Sequence, residues 1–192
     1  MKRILFMAML LPMVTFAQEE TSKKVEAKKE ATISLFANAS EPAQFGISVE
    51  LQLEASEKEY NNSSIFQLSF GSMEIEAFRN FTGTGFVIDS GIRTYWEKDS
   101  WSGFYTENLI SYGNIKFDEP MVTGVADQFI GTYSYLSLIN PNLGYKINIG
   151  KFSLDPFVGF NWKWEFKGKG DFDNNITDNF VPRVGAKLGY RF

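Results

Sequence analysis

The chain of 192 residues contains no histidine and no cysteine. It therefore lacks the commonest general base near neutral pH and the usual thiolate nucleophile. Ser-His and Cys-His nucleophiles are excluded, as are zinc sites built on His or Cys. Carboxylates remain. Asp155 and Glu165 fall on one face of one predicted strand, but the extended chain between them separates the two by about 33 Å, too far to share a proton. The run Asp171-Phe172-Asp173-Asn174-Asn175 places oxygen ligands at alternate positions, as the opening of a calcium loop does. Such a loop turns on a glycine and closes with a bidentate glutamate; Ile176 and Pro182 stand at those places, so an exposed polar loop is the better reading. No catalytic, cofactor-binding or metal-ligating residue is assigned, and the chain is not expected to be an enzyme or to carry a cofactor.

The remaining charges lie in segments with a two-residue period, and that period is what positions them. From Phe45 to Glu54, Phe45, Ile47, Val49, Leu51 and Leu53 share one face, with Glu50 and Glu54 on the other. From Phe86 to Trp96 the opposite face carries Asp89 and Arg93. Leu154 to Phe166 sets Leu154, Val158, Phe160, Trp162, Trp164 and Phe166 against Asp155, Lys163 and Glu165. Phe180 to Phe192 sets Val184, Leu188, Tyr190 and Phe192 against Arg183, Lys187 and Arg191. Alternation of this length marks strands with one greasy and one polar face. Three segments fit less cleanly. Tyr133 to Ile149 alternates in its second half, Ser64 to Phe78 changes phase near Gly71-Ser72, and Gly103 to Phe117 has no clean phase. The phase change predicts a β-bulge, or else a hairpin. With Ala31 to Asn38 the strands number eight, an even count that returns both ends of an up-and-down barrel to the same side.

The N-terminal residues read as an export signal over 1–17. Lys2 and Arg3 precede an apolar run from Ile4 to Phe16, and Thr15-Phe16-Ala17 offers small residues at the two positions a signal peptidase checks. The run is shorter than the roughly 20 residues a membrane-spanning helix needs. Cleavage after Ala17 leaves Gln18 first, and residues 18–30 (QEETSKKVEAKKE) are too polar to repay ordering, so a flexible periplasmic tail is expected. The barrel domain then occupies 31–192. A formal charge of -4 gives no electrostatic footprint for nucleic acid. From a periplasmic N-terminus, the tight turn Gly150-Lys151 and the short Glu97 to Ser102 link fall on the periplasmic side, as does the longer Ala55 to Ser63 link. The polar links Asp118 to Phe129 and Lys167 to Asn179 fall outside.

Period two alone does not say which face is outside, because a soluble lipocalin-like barrel alternates as well. Three features favour a greasy exterior. Trp162, Trp164 and Phe166 adjoin a polar loop, where an interfacial girdle belongs, and Trp96, Trp101 and Phe104 surround the opposite turn. The polar faces also balance. Glu50, Glu54, Asp89, Glu107, Asp155 and Glu165 stand against Arg93, Lys146, Lys163, Arg183, Lys187 and Arg191, and can pair inside a narrow lumen. Within that set, Glu50, Asp89, Arg93, Lys146, Asp155, Lys163, Arg183 and Lys187 are predicted to form the lumen network. Nineteen Phe, eight Tyr, four Trp and 16 Gly suit strands with aromatic belts.

Leu188-Gly189-Tyr190-Arg191-Phe192 resembles the terminal signal of outer-membrane barrels, with Leu188, Tyr190 and Phe192 carrying the match; the glycines are offset from the usual pattern. Gly83 to Trp96, Gly103 to Phe117, Leu143 to Phe160 and Pro182 to Phe192 are similar to the small OmpW, OmpX and OmpA-transmembrane group. The resemblance implies an eight-stranded antiparallel transmembrane β-barrel in a bacterial outer membrane. It implies lipid, lipopolysaccharide and the barrel-assembly machinery as partners, with a monomer as the expected state. Barrel enzymes of the phospholipase, acyltransferase, deacylase and omptin types generally rely on a histidine, which this chain lacks. A structural, binding or adhesion role is therefore expected, ahead of a narrow porin-like channel or a soluble exported lipocalin-like barrel.

Overall fold

The computed structural model describes residues 30–53, 60–76, 80–97, 100–119, 129–170 and 177–192. The proposed signal peptide and residues 18–29 of the tail, the calcium-like run 171–175, and Glu54 lie outside them. The described residues form nine strands: β1 (Ala31–Ala39), β2 (Ala43–Gln52), β3 (Asn62–Glu76), β4 (Asn80–Tyr95), β5 (Gly103–Glu119), β6 (Phe129–Ile139), β7 (Pro141–Ile149), β8 (Phe152–Gly170) and β9 (Phe180–Arg191). β6 and β7 are two halves of one stave, since both pair with β5 and with β8. The ring therefore has eight staves, closed by antiparallel pairing of β1 with β9.

Closure can be followed rung by rung. Leu154 pairs with Leu188, Leu188 with Leu35, Leu35 with Ile47, and Ile47 with Leu68. The path continues through Ile88, Tyr112 and Leu136 and returns to β8 at Trp164, ten residues from its start. Eight staves with that stagger tilt the strands by roughly 40°. Every residue on the path is apolar or aromatic, and none is buried, so a greasy spiral winds round the outside.

Along β8 the outward run Phe152, Leu154, Pro156, Val158, Phe160, Trp162 and Trp164 rises about 30 Å at that tilt. Above it the pattern inverts. On β3, β4 and β5 the outward residues become Ser72, Glu74, Glu76, Thr82, Thr84, Asn114, Lys116 and Asp118. The inward ones become Met73, Ile75, Phe81, Ile115 and Phe117, which join Val87, Phe129, Tyr133 and Tyr135 in one buried apolar cluster. Phe81 stacks on Phe129 with centroids 4.8 Å apart.

This inversion corrects the reading of Gly71-Ser72. No bulge or hairpin lies there: β3 keeps unbroken register with β2 and β4, and only the chemistry of its two faces changes. It also accounts for the missing phase of β5, which crosses the same boundary. The irregularities lie instead on the sixth stave, where pairing with β8 shifts between Ser134 and Tyr135 and again between Leu136 and Ile139; at the second, both Leu138 and Ile139 face outward. Inward parity passes from odd residues in β6 to even ones from Asn140 onward. The slip leaves the Leu138 carbonyl and the Asn140 N–H on the outer wall. The Asn108 amide takes both, donating to Leu138 O at 3.2 Å and accepting from Asn140 N at 3.0 Å. An unmet backbone group on an apolar wall is expensive, which explains an amide side chain at that position.

Two further expectations are adjusted. The end carrying the polar 118–129 and 167–179 links also carries the short 40–42 turn, and only three residues separate β3 from β4 there, so the links at that end are not uniformly long. Glu30, assigned to the tail, belongs to the barrel rim: it pairs with Arg191 at 3.0 Å and its carbonyl accepts from Gln52 N–H. The turn at Gly150-Lys151 is tight as expected, with Gly150 at a φ of 61°, a conformation glycine adopts without strain.

Candidate functional site

The inward faces converge on the bore, and their chemistry is layered by height. In the lower half Arg93 is the hub. Its guanidinium meets Glu107 at 2.8 Å, Asp155 at 2.8 Å and Glu50 at 3.5 Å. It lies 3.6 Å from the centroid of the Tyr105 ring. Lys146 pairs with Glu50 at 2.7 Å and Lys187 with Glu107 at 3.2 Å. Three cations thus face three carboxylates, with Arg93 1 % exposed. Hydroxyl and amide groups fill the remaining acceptor positions. Tyr95 donates to Glu50 at 2.6 Å, Ser63 to the same carboxylate at 2.8 Å, Tyr105 to Asp155, and Asn142 to Glu107 at 3.1 Å. A buried ion cluster holds only when such supporting bonds are made.

A second cluster sits higher. Arg183 lies 3.7 Å from Asp89 and donates to Asn140 at 3.1 Å and Gln44 at 3.0 Å. Ser111 joins Asp89 to Asn140. The bulge on the sixth stave is what aims Asn140 inward to complete this chain. Nearer the mouth, Lys163 pairs with Glu41 at 3.4 Å and lies over the Tyr133 and Tyr135 rings.

Rings laid over glycines occupy much of the remaining space. Tyr105 pairs across the ladder with Gly144, Tyr135 with Gly113, Phe157 with Gly185 and Phe117 with Gly83. In each case a Cβ on the glycine would collide with the facing ring. At the lower mouth Trp101 packs edge-on to Tyr95, 5.8 Å between centroids. Its link is tied across the opening by Asn148 Nδ2 to Trp101 O and Asn61 Nδ2 to Ser100 O.

Of the predicted network, Glu50, Arg93, Lys146, Asp155 and Lys187 meet in the lower hub. Asp89 and Arg183 form the upper cluster. Lys163 joins neither, and its carboxylate partner is Glu41, a residue of the 40–42 turn. Glu107 was counted among the lumen charges but not placed in the network, although it joins Arg93 to Lys187. Tyr95, Tyr105, Asn140 and Asn142 were missed. Their signal was the inward parity of β4, β5 and β7, legible only once the β5 register is known. Asp155 and Glu165 do not meet, and Glu165 pairs in register with Tyr135.

On the outside, Trp96 stacks on Phe104 at 5.6 Å and Trp162 lies 6.3 Å from Trp164; all four are exposed. Trp101 is not a girdle residue, because its ring turns in beneath the bore. The Phe166 side chain lies outside the described set. Leu188 and Phe192 face outward, and Tyr190 stacks edge-on to both Phe152 and Phe192. Among the described residues no group of carboxylates is placed to hold a metal ion.

No protein-family model matches the sequence, and no curated protein matches it. Among solved structures the chain is similar to Ail, the attachment invasion locus protein of Yersinia pestis, solved in complex with the heparin analogue sucrose octasulfate. Identity is 13 %, the TM-score 0.44, and coverage 85 % of this chain and 99 % of that one. Neisserial surface protein A is 11 % identical, with a TM-score of 0.47 and coverage of 85 % and 96 %. The N-terminal β-barrel domain of Pseudomonas aeruginosa OprF is 10 % identical, with a TM-score of 0.45 and coverage of 85 % and 97 %.

Proposed function

We propose that the chain is an integral outer-membrane β-barrel, exported by cleavage after Ala17, that serves a structural, binding or adhesion role through its outer face and loops. One observation carries this reading. A closed ring presents an apolar band about 30 Å tall to its surroundings and encloses the ion pairs of the Arg93 hub and the Arg183–Asp89 pair. A soluble lipocalin-like barrel needs the opposite arrangement, with polar groups outside and a greasy bore. A water-filled channel is disfavoured by the Arg93 hub, the ring-on-glycine packing and Trp101 beneath them. Eight strands leave room for side chains and little else.

The test is location together with folding behaviour. Fractionated cells should hold the mature chain, beginning at Gln18, in the outer membrane, and the unheated protein should migrate differently from the heated form on a detergent gel. Recovery of a soluble periplasmic protein that folds cooperatively without lipid or detergent would overturn the reading.

A further inference from the structure

The seam between β1 and β9 carries a groove of about 420 Å³ on the outer wall. Its floor is backbone, where Ser34 pairs with Gly189. Its walls are Ile33, Leu35 and Ile47 on one side and Leu188, Tyr190 and Phe152 on the other. Cross-strand neighbours usually fill such a space. Here Ile33 faces Tyr190 and Leu35 faces Leu188, and a groove remains between them. The groove begins at the Gly150-Lys151 end of the barrel and rises into the apolar band.

A cation stands at its foot. The Lys151 ammonium lies 5.7 Å from the centroid of the Tyr190 ring, and Tyr190 is itself a wall residue. Arg191, beside it, is already neutralised by Glu30 at 3.0 Å. Lys151 is exposed and makes no ion pair with any described carboxylate. An apolar channel about the size of one fatty-acyl chain thus ends at a lysine and a phenol, at the height where lipid headgroups begin.

We propose that this seam groove binds one anionic glycerophospholipid of the periplasmic leaflet. Its acyl chain lies between the Ile33–Leu35 and Leu188–Tyr190 rows, and its phosphate rests on Lys151. The proposal rests on the membrane reading above. The occupant follows from the chemistry: the walls are apolar, the Lys151 cation and the Tyr190 phenol stand at one end, and the groove lies within the apolar band.

The experiment uses the full mature chain folded in detergent and confirmed by its heat-dependent gel shift, mixed with dioleoylphosphatidylglycerol and examined by native mass spectrometry. One phosphatidylglycerol should be retained per barrel. Lys151→Glu should weaken retention by about fivefold or more, the effect expected of one lysine at an anionic headgroup. Leu35→Trp should fill the groove and abolish retention, whereas Val158→Trp, on the same exterior but away from the seam, should leave it unchanged. Dioleoylglycerol, which keeps the chains and lacks the phosphate, should bind more weakly.

Equal retention by Leu35→Trp and Val158→Trp would mean annular lipid only and would overturn the proposal. Displacement of the lipid by inorganic phosphate alone would overturn it too, since the site would then be a simple anion site. Absence of the gel shift in every sample would instead strike the membrane reading itself, so the two failures are distinguishable.

Discussion

Arg93 illustrates why a buried charge can be tolerated in so narrow a space. Its planar fork reaches Glu107 through two nitrogens, at 3.0 Å and 2.8 Å, and Asp155 through a third at 2.8 Å. A lysine offers one point charge and could not satisfy that geometry. Replacing Arg93 with methionine should destabilise the barrel by about 3–5 kcal/mol, because Glu50, Glu107 and Asp155 are then left with only Lys146 and Lys187. The double change Arg93→Met with Glu107→Gln should cost less than the sum of the two single changes, since removing an acid relieves the excess negative charge. Urea unfolding from lipid vesicles measures both. Strict additivity would show that Arg93 and Glu107 do not act as a unit. Gly144 bears on the same hub from outside the ion pairs, because the Tyr105 ring that backs Arg93 and donates to Asp155 lies over it.

The strand β3 carries the boundary between two environments in its own sequence. Phe66, Leu68 and Phe70 face outward below it; Ser72, Glu74 and Glu76 face outward above. Phe66→Arg should cost about 2–4 kcal/mol of folding free energy in vesicles, while Glu74→Arg on the same face should cost under about 1 kcal/mol. Equal penalties would mean that the upper part of β3 is also immersed. This boundary decided what could be read from sequence. β2, β4, β8 and β9 alternate legibly because most of their outward residues stay within the greasy band. β3 and β5 run past it, so a straight strand with one inward parity presents two opposite hydropathy patterns, and the eye reads a bulge at Gly71-Ser72. The real bulge at Leu138-Ile139 went unread because its evidence is register, which no local pattern carries. The aromatic count misled in a milder way. It suggested belts, yet Tyr95, Tyr105, Tyr135 and Phe157 line the bore, the last three over glycines on neighbouring strands. The charge balance was legible because it depends only on parity. The division into a hub, an upper cluster and the Lys163–Glu41 pair was not, because it depends on height.

For the whole molecule the last residues matter more than the first. Deleting Phe192, or replacing it with a charged residue, should impair insertion into the outer membrane far more than deleting residues 18–29, as measured by the folded fraction on an unheated gel. Phe192 N–H donates to Ala31 O at 2.9 Å and its ring packs on Tyr190, so it belongs to the closing seam. Equal insertion of the two variants would count against that role. The seam differs from every other ladder in the ring. Seven of the eight junctions between staves are bridged by links along the chain, whereas β1 meets β9 only after some 150 residues have passed between them. Forming the neighbour pairs closes short loops; forming the seam closes the longest one. The strand that completes it is also the last of the nine in chain order, so it is synthesised after every strand it must join. A growing chain can therefore rehearse hairpins but never a finished wall, and its greasy outer residues form no continuous surface until β9 has met β1. Synthesis of the first strands and closure of the ring are thus separated in time by topology alone, leaving an interval in which the open chain must be kept from aggregating.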